Sequence, residues 1–160
     1  MPTSIKIDDT EVRGALGKMI AGAGDLSAPM REVASYGETS TRERFLTNIG
    51  PDGKAWVPSH RARATGGKTL FQHGHLQDSL HSRSGRDFAE WGTNKIYARV
   101  HQFGAIIRAK AGGFLHFKGS KGWAKVRSVT LPARPFLGLS AVDKEEIDFI
   151  FTDYLRGLAR

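Results

Sequence analysis

The stretch LPARPFLGLS, residues 131–140, constrains this chain more than any other. Pro132 and Pro135 each hold φ near about −65° and withhold a backbone donor, so no sheet ladder continues through them. The preceding WAKVRSVTL reads as a strand, with side chains alternating between two faces. After Ser140 the pattern changes to helical spacing, with Ile147, Ile150, Phe151, Tyr154, Leu155 and Leu158 forming one apolar stripe. Ser140 followed by Asp143 is a variant capping box for that helix. The stretch is therefore a stiff strand-to-helix connection. Phe136 and Leu137 plug a core, Gly138 permits a tight approach, and Arg134 stands on the strut, where a bidentate partner suits it. Burial of Arg134 demands a carboxylate or carbonyl; Glu90 or an acid of the last helix could supply it, and the sequence does not choose.

The rest of the chain reads as α+β: a single domain over residues 1–160, with a small antiparallel sheet, a long β-hairpin and packing helices. Residues 9–22 form a short helix through Val12, Leu16, Met19 and Ile20. Residues 28–47 form a second, with Pro29 in its first turn and Met30, Val33, Ala34 and Phe45 inward. Gly37 weakens the middle of that helix. Residues 48–68 read as a loop that Trp56 anchors to the core, and 69–80 as a helical turn or a bend broken by Gly74. SLHSR and DFAEWG read as a hairpin around Ser84-Gly85. Thr93 or Asn94 then caps a short helix, KIYARVHQF, which Gly104 ends. Residues 105–131 are the most extended part, a hairpin arm in which GFLHFK and WAKVRSVTL flank GSKG. Alternation puts Phe114, His116 and Lys118 on one face with Trp123, Lys125 and Arg127, and Leu115 and Phe117 on the other.

Charge is unevenly spread. Residues 54–127 hold 14 of the 24 basic side chains and 3 of the 16 acidic ones, so the excess positive charge there is larger than the +8 net charge of the whole chain. Such a block can face phosphates, and Lys118, Lys121, Lys125 and Arg127 are the candidate DNA-facing side chains. There is no cysteine, which excludes disulfides and thiolate sites. No apolar run approaches a membrane span, and MPTSIKIDDTEV shows no secretion signal. His73 and His75 have H-x-H spacing, with His81 and His101 further along, but Gly74 breaks a regular strand and no full ligand set emerges. Asp78 lies near His75 in sequence, yet no nucleophile-elbow pattern accompanies them. GAGD and TGGK are not complete phosphate loops. The expectation is no enzyme, no cofactor and no metal. The residues alone describe a basic interaction module, with nucleic-acid binding as an alternative.

YARVHQFG (97–104) and LPARPFLGLSAVDKEEI (131–147), taken together, resemble the phage virion morphogenesis family, the tail-completion proteins of Mu-like tailed phages and prophages. RFLTNIGPDGKAW (44–56), HGHLQDSL (73–80) and WGTNKIYA (91–98) add to the resemblance, which covers nearly the whole chain. One departure is His73, where the family commonly has Thr or Ser before the glycine. The resemblance implies a ring-forming subunit of the neck or head-proximal tail end that completes the tail or joins head to tail. It implies a homo-oligomer, with the phage connector and tail-tube or tail-terminator proteins as partners, nonspecific contact with DNA and no membrane. The expected location is the virion, assembled in the bacterial host cytoplasm. His101, Gln102, Phe103, Gly104, Arg134, Pro135 and Phe136 match motif positions as structural or interface residues. Folding roles are expected for Phe103, Gly104, Pro135 and Phe136. Leu115 and Phe117 are the candidate contacts between ring subunits, with Phe114 and Trp123 as second choices.

Overall fold

A computed structural model describes residues 10–119 and 122–159. In chain order the elements are α1 (Thr10–Ala23), α2 (Ser27–Thr47), α3 (His60–Thr65), α4 (His75–Asp78), β1 (Leu80–Ser84), β2 (Ala89–Thr93), α5 (Ala98–Phe103), β3 (Ala105–Arg108), β4 (Leu115–Gly119), β5 (Gly122–Val126), β6 (Ser128–Leu131) and α6 (Ala141–Ala159). The fold is α+β, with antiparallel pairs β1–β2, β3–β6 and β4–β5.

The long helices form the scaffold. α2 buries Pro29, Val33, Ala34, Gly37, Thr41, Arg44 and Phe45, and Met30 is half-buried. Gly37 sits mid-helix because a side chain has no room there: a Cβ would lie 2.5 Å from the Trp91 ring of β2. Helix propensity loses about 1 kcal/mol at such a glycine, and the indole seated on it offsets that loss. Trp91 also donates its indole N–H to Thr41 Oγ1 at 3.1 Å. α2 ends at Asn48, whose left-handed φ of 60° lets its N–H reach the Arg44 carbonyl at 2.7 Å. α6 packs on α1 and α2 and begins with a reciprocal capping box. The Asp143 N–H donates to Ser140 Oγ at 3.1 Å, and the Ser140 N–H to Asp143 Oδ2 at 2.6 Å.

The core lies between α2 and the connections: Phe45, Trp56, Leu76, Leu80, Ala98 and Phe136, with Leu70 and Leu137 against it. The Phe45 ring lies 5.4 Å from that of Phe136 and meets Trp56 edge-on at 5.6 Å. Trp56 therefore anchors its loop as expected.

Two local readings change. The expected loop over 48–68 contains α3, capped by Ser59, whose Oγ accepts from the Ala62 N–H at 3.1 Å. Six residues are too few to show helical periodicity in a sequence. α5 starts at Ala98, without a side-chain cap from Thr93 or Asn94. Thr93 Oγ1 instead accepts from the Lys95 N–H at 3.1 Å and meets Ser79 Oγ at 2.6 Å. The ambiguous 69–80 stretch resolves into α4, entered through Gly74 at φ 78°, and then the start of β1.

Residues 105–131 make a two-stranded ribbon in two sections. β3 pairs with β6 from Ala105↔Leu131 to Arg108↔Ser128, and β4 with β5 from Leu115↔Val126 to Gly119↔Gly122. An Ala109 N–H to Arg127 carbonyl bond of 2.9 Å lies between them. Directly opposed residues of an antiparallel pair share a face. His116↔Lys125 therefore lies on one face with Trp123, and Leu115↔Val126 and Phe117↔Ala124 lie on the other. On the first face Lys125 Nζ lies 4.4 Å and the Arg127 guanidinium carbon 5.7 Å from the centre of the Phe114 ring.

Candidate functional site

The two blocks HQFG and LPARPFLGLS meet each other. The HQFG block lies at the end of α5, and the proline-flanked connection runs beside it. Gln102 is the clamp. Its Oε1 accepts the N–H groups of both Phe136 and Leu137 at 3.0 Å, and its Nε2 donates to the Leu137 carbonyl at 2.9 Å. The connection is not in a sheet, so its backbone groups need side-chain partners. One amide side chain supplies three of these bonds. The His101 carbonyl accepts the Arg134 N–H at 2.7 Å. Gly104 has φ 71°, and a Cβ there would lie 2.8 Å from the Ala133 nitrogen. No larger residue lets α5 turn into β3 this close to the connection. Pro135 offers its carbonyl to the Trp56 indole N–H at 2.8 Å, and Phe136 is fully buried.

Arg44 holds the far end. Its Nη1 donates to the carbonyls of Phe136 at 2.7 Å and Gly138 at 2.9 Å, and its Nη2 pairs with Asp143 at 2.5 Å. Asp143 is buried and also accepts from the hydroxyls of Ser40 and Tyr36. Burial pushes the Asp143 carboxyl up, but bonds from Ser40 and Ser140, with the Arg44 charge, outweigh it and hold the group below the usual carboxylate range. The sequence reading assigned Asp143 only the cap and gave Arg44 no role. The available signal was that the RFLTNIGPDGKAW block begins at Arg44.

Arg134 is buried, and of the two partner types expected, carboxylate or carbonyl, the structure gives it a carbonyl. Glu90 pairs with Arg83 across β1–β2, and Asp143 with Arg44. The Arg134 Nε donates instead to the Val57 carbonyl at 2.7 Å. No acceptor for its two terminal nitrogens is found among the described residues. Burial pushes its guanidinium down, and Arg63 pushes it the same way. His101 is pushed down by burial and then by Arg134, and its Nδ1 is buried without a partner among the described residues.

These groups border a groove of about 590 Å³ between the α3 region, α4, α5 and the ribbon. Arg61, Arg63 and Arg134 line it, together with His60, His73, His75 and His101. No acidic residue does so among the described residues. The His73 and His75 rings lie 5.8 Å apart. Among the described residues no group of three or more His, Cys, Asp or Glu could hold a metal ion.

The remaining sequence candidates are dispersed. Phe103 is 73% exposed, which corrects the expectation that it serves folding. A motif position beside the buried junction looks apolar and inward in sequence, but the last turn of α5 points this one outward. Leu115 is half-buried, Phe117 is 40% exposed and lines the groove, and Trp123 is 79% exposed. Of the candidate DNA-facing residues, Lys125 and Arg127 share the Phe114 face, Lys118 lies on β4, and Lys121 falls outside the described residues. Among the described residues no helix is long and apolar enough to cross a membrane.

Comparison with known proteins finds relatives over most of the chain. The putative capsid assembly protein G of Escherichia phage Mu is 30% identical over 153 residues, covering 90% of this chain and 88% of its own. The Mu-like prophage FluMu G protein 2 of Haemophilus influenzae is 29% identical over 150 residues, covering 94% and 93%. No solved structure matches. The sequence profile of the phage virion morphogenesis family matches residues 7–156, a span that contains every motif of the junction, and the chain belongs to that family.

Proposed function

We propose that this protein is a structural subunit of a tailed-phage virion. It acts without turnover at the neck or head-proximal tail end, completing the tail or joining head to tail. The observation that carries this reading is how the two motif blocks are used. Gln102, Arg44 and Gly104 are occupied in fixing the 131–140 connection, while large apolar side chains remain on the surface. Phe103, Ile96 and Trp123 are 73%, 96% and 79% exposed. Such exposure suits a subunit that is covered on assembly. The assembly state is a homo-oligomeric ring. The ribbon contributes Leu115 and Phe117 to its contacts, and the phage connector and the tail tube or tail terminator are its neighbours. The Mu relative's description as a capsid assembly protein supports the same class of role.

Deleting the gene from its parent phage or prophage tests the reading. Unjoined heads and tails, or tails of abnormal length, are expected. Normal infectious particles contradict it.

The basic, aromatic face of the ribbon favours a second reading, nucleic-acid binding. In the ring this face contacts DNA weakly and without sequence preference, through Lys125 and Arg127 and, from the sequence pattern, Lys118 and Lys121. Affinity for duplex should fall steeply with salt as counterions are released. Tight binding to one sequence at physiological salt would favour a dedicated DNA-binding module.

A further inference from the structure

The basic groove lacks a counter-charge. Arg134 is 5% exposed, yet its terminal nitrogens have no acceptor among the described residues, and Arg63 is near enough to repel it. His101 adds a buried, unpartnered Nδ1. A buried cation with no counter-charge beside it is costly, so a groove of this kind favours an anionic occupant. The walls are also apolar in part, through Leu70, Tyr97, Phe117 and Val129. A surface that presents carboxylates and apolar side chains together therefore matches it.

The chain carries such a surface itself. Along α6, Val142, Glu146, Phe149 and Asp153 follow i, i+4, i+7, i+11 spacing, which puts them on one side of the helix. All four are exposed, Val142 at 67% and Phe149 at 57%, and Glu145 beside them is exposed too. The adjacent flank of α6 is buried through Asp143 and Ile150, and the helix packs on α1 and α2. The groove is built without a residue from α1, α2 or α6. The acidic-apolar face and the basic-apolar groove thus belong to different parts of the surface. A contact between them joins two copies head to tail, the kind that repeats into a ring when the rotation closes.

We infer that the outward face of α6, with Glu145, Glu146, Phe149 and Asp153, docks into the Arg63–Arg134–His101 groove of a second copy of this chain. The inference rests on the ring-forming reading above and names the two surfaces that meet.

The experiment measures the mass of the full-length protein by light scattering at low and high salt, with circular dichroism to confirm folding. Wild-type protein should self-associate, and salt should weaken the association. Arg63→Glu alone and the pair Glu145→Lys with Glu146→Lys alone should each weaken association about tenfold or more. Mixing the groove variant with the helix variant should restore it, since each then meets an opposite charge. A general loss of folding cannot produce that rescue. A wild-type protein that stays monomeric at low salt, either variant associating like wild type, or a mixture that recovers nothing would each overturn the inference. Loss of duplex DNA affinity in Arg63→Glu with wild-type mass would also overturn it, assigning the groove to phosphates. Failure here with unjoined heads and tails in the gene deletion rejects this interface and leaves the assembly role standing.

Discussion

Gln102 has three hydrogen bonds to the backbone of Phe136 and Leu137, and Phe103 next to it is exposed. Adjacent residues of one motif therefore have opposite sensitivities. Gln102→Ala leaves two backbone donors of the connection without their acceptor and should cost about 3 kcal/mol. Phe103→Ser should stay within about 0.5 kcal/mol. Denaturant melts of the two variants check this; equal losses would show that Phe103 is packed after all. Asp143 offers a test with pH. Its carboxyl titrates near 3.8 in a free chain and lower when folded. As pH falls through 3.8 the unfolded chain takes up the proton first, so the stability this group contributes is present above that value and is lost as pH drops towards the folded value. Asp143→Asn should cost about 3 kcal/mol at neutral pH by leaving Arg44 unpaired. It should also flatten the acid limb of the stability curve. An acid limb as steep as in wild type would exclude Asp143 as its source.

The elements differ in how far sequence reveals them. α2, α6 and the hairpin pairs were legible because their patterns are local: helical stripes, a capping box and alternation around a turn. Gly37 was legible only as a weakness, because the Trp91 ring that fills its place lies 54 residues away in the chain. α3 and the true start of α5 are short and depend on single hydrogen bonds. Arg134 was placed on a stiff strut with a carboxylate or a carbonyl as its partner, and the fold supplies the Val57 carbonyl. Sequence reports which acids exist, and only the fold shows that Glu90 and Asp143 are already paired. The groove gathers residues from 57–63, 70–76, 97–101 and the ribbon, so nothing local announced it. At this scale the ribbon makes a prediction. An isolated two-stranded hairpin is marginal in water, and β4 and β5 pair chiefly with each other. Replacing residues 112–124 by a short Gly/Ser turn should keep the helical dichroism and a cooperative melt while lowering the assembled mass. Loss of the cooperative melt would place the ribbon within the core, and an unchanged mass would remove it from the proposed contacts between subunits.

The molecule as a whole separates charge and function by region. The connection 131–140 is fixed from α2, α5 and α6, which makes one rigid joint between the ribbon and the helical scaffold. Around that joint lie a basic groove without a counter-charge, an acidic helix face and a set of exposed aromatic side chains. Such a surface suits a piece of a larger assembly, as membership of the phage virion morphogenesis family leads one to expect. The central claim is that this protein is built into the particle at the head–tail boundary. Electron microscopy of intact parent-phage particles decorated with gold-labelled antibody to this protein tests it most directly. The account predicts label at one place per particle, where head meets tail or at the head-proximal end of free tails. Particles that carry no label, or label scattered over the head shell, would contradict it.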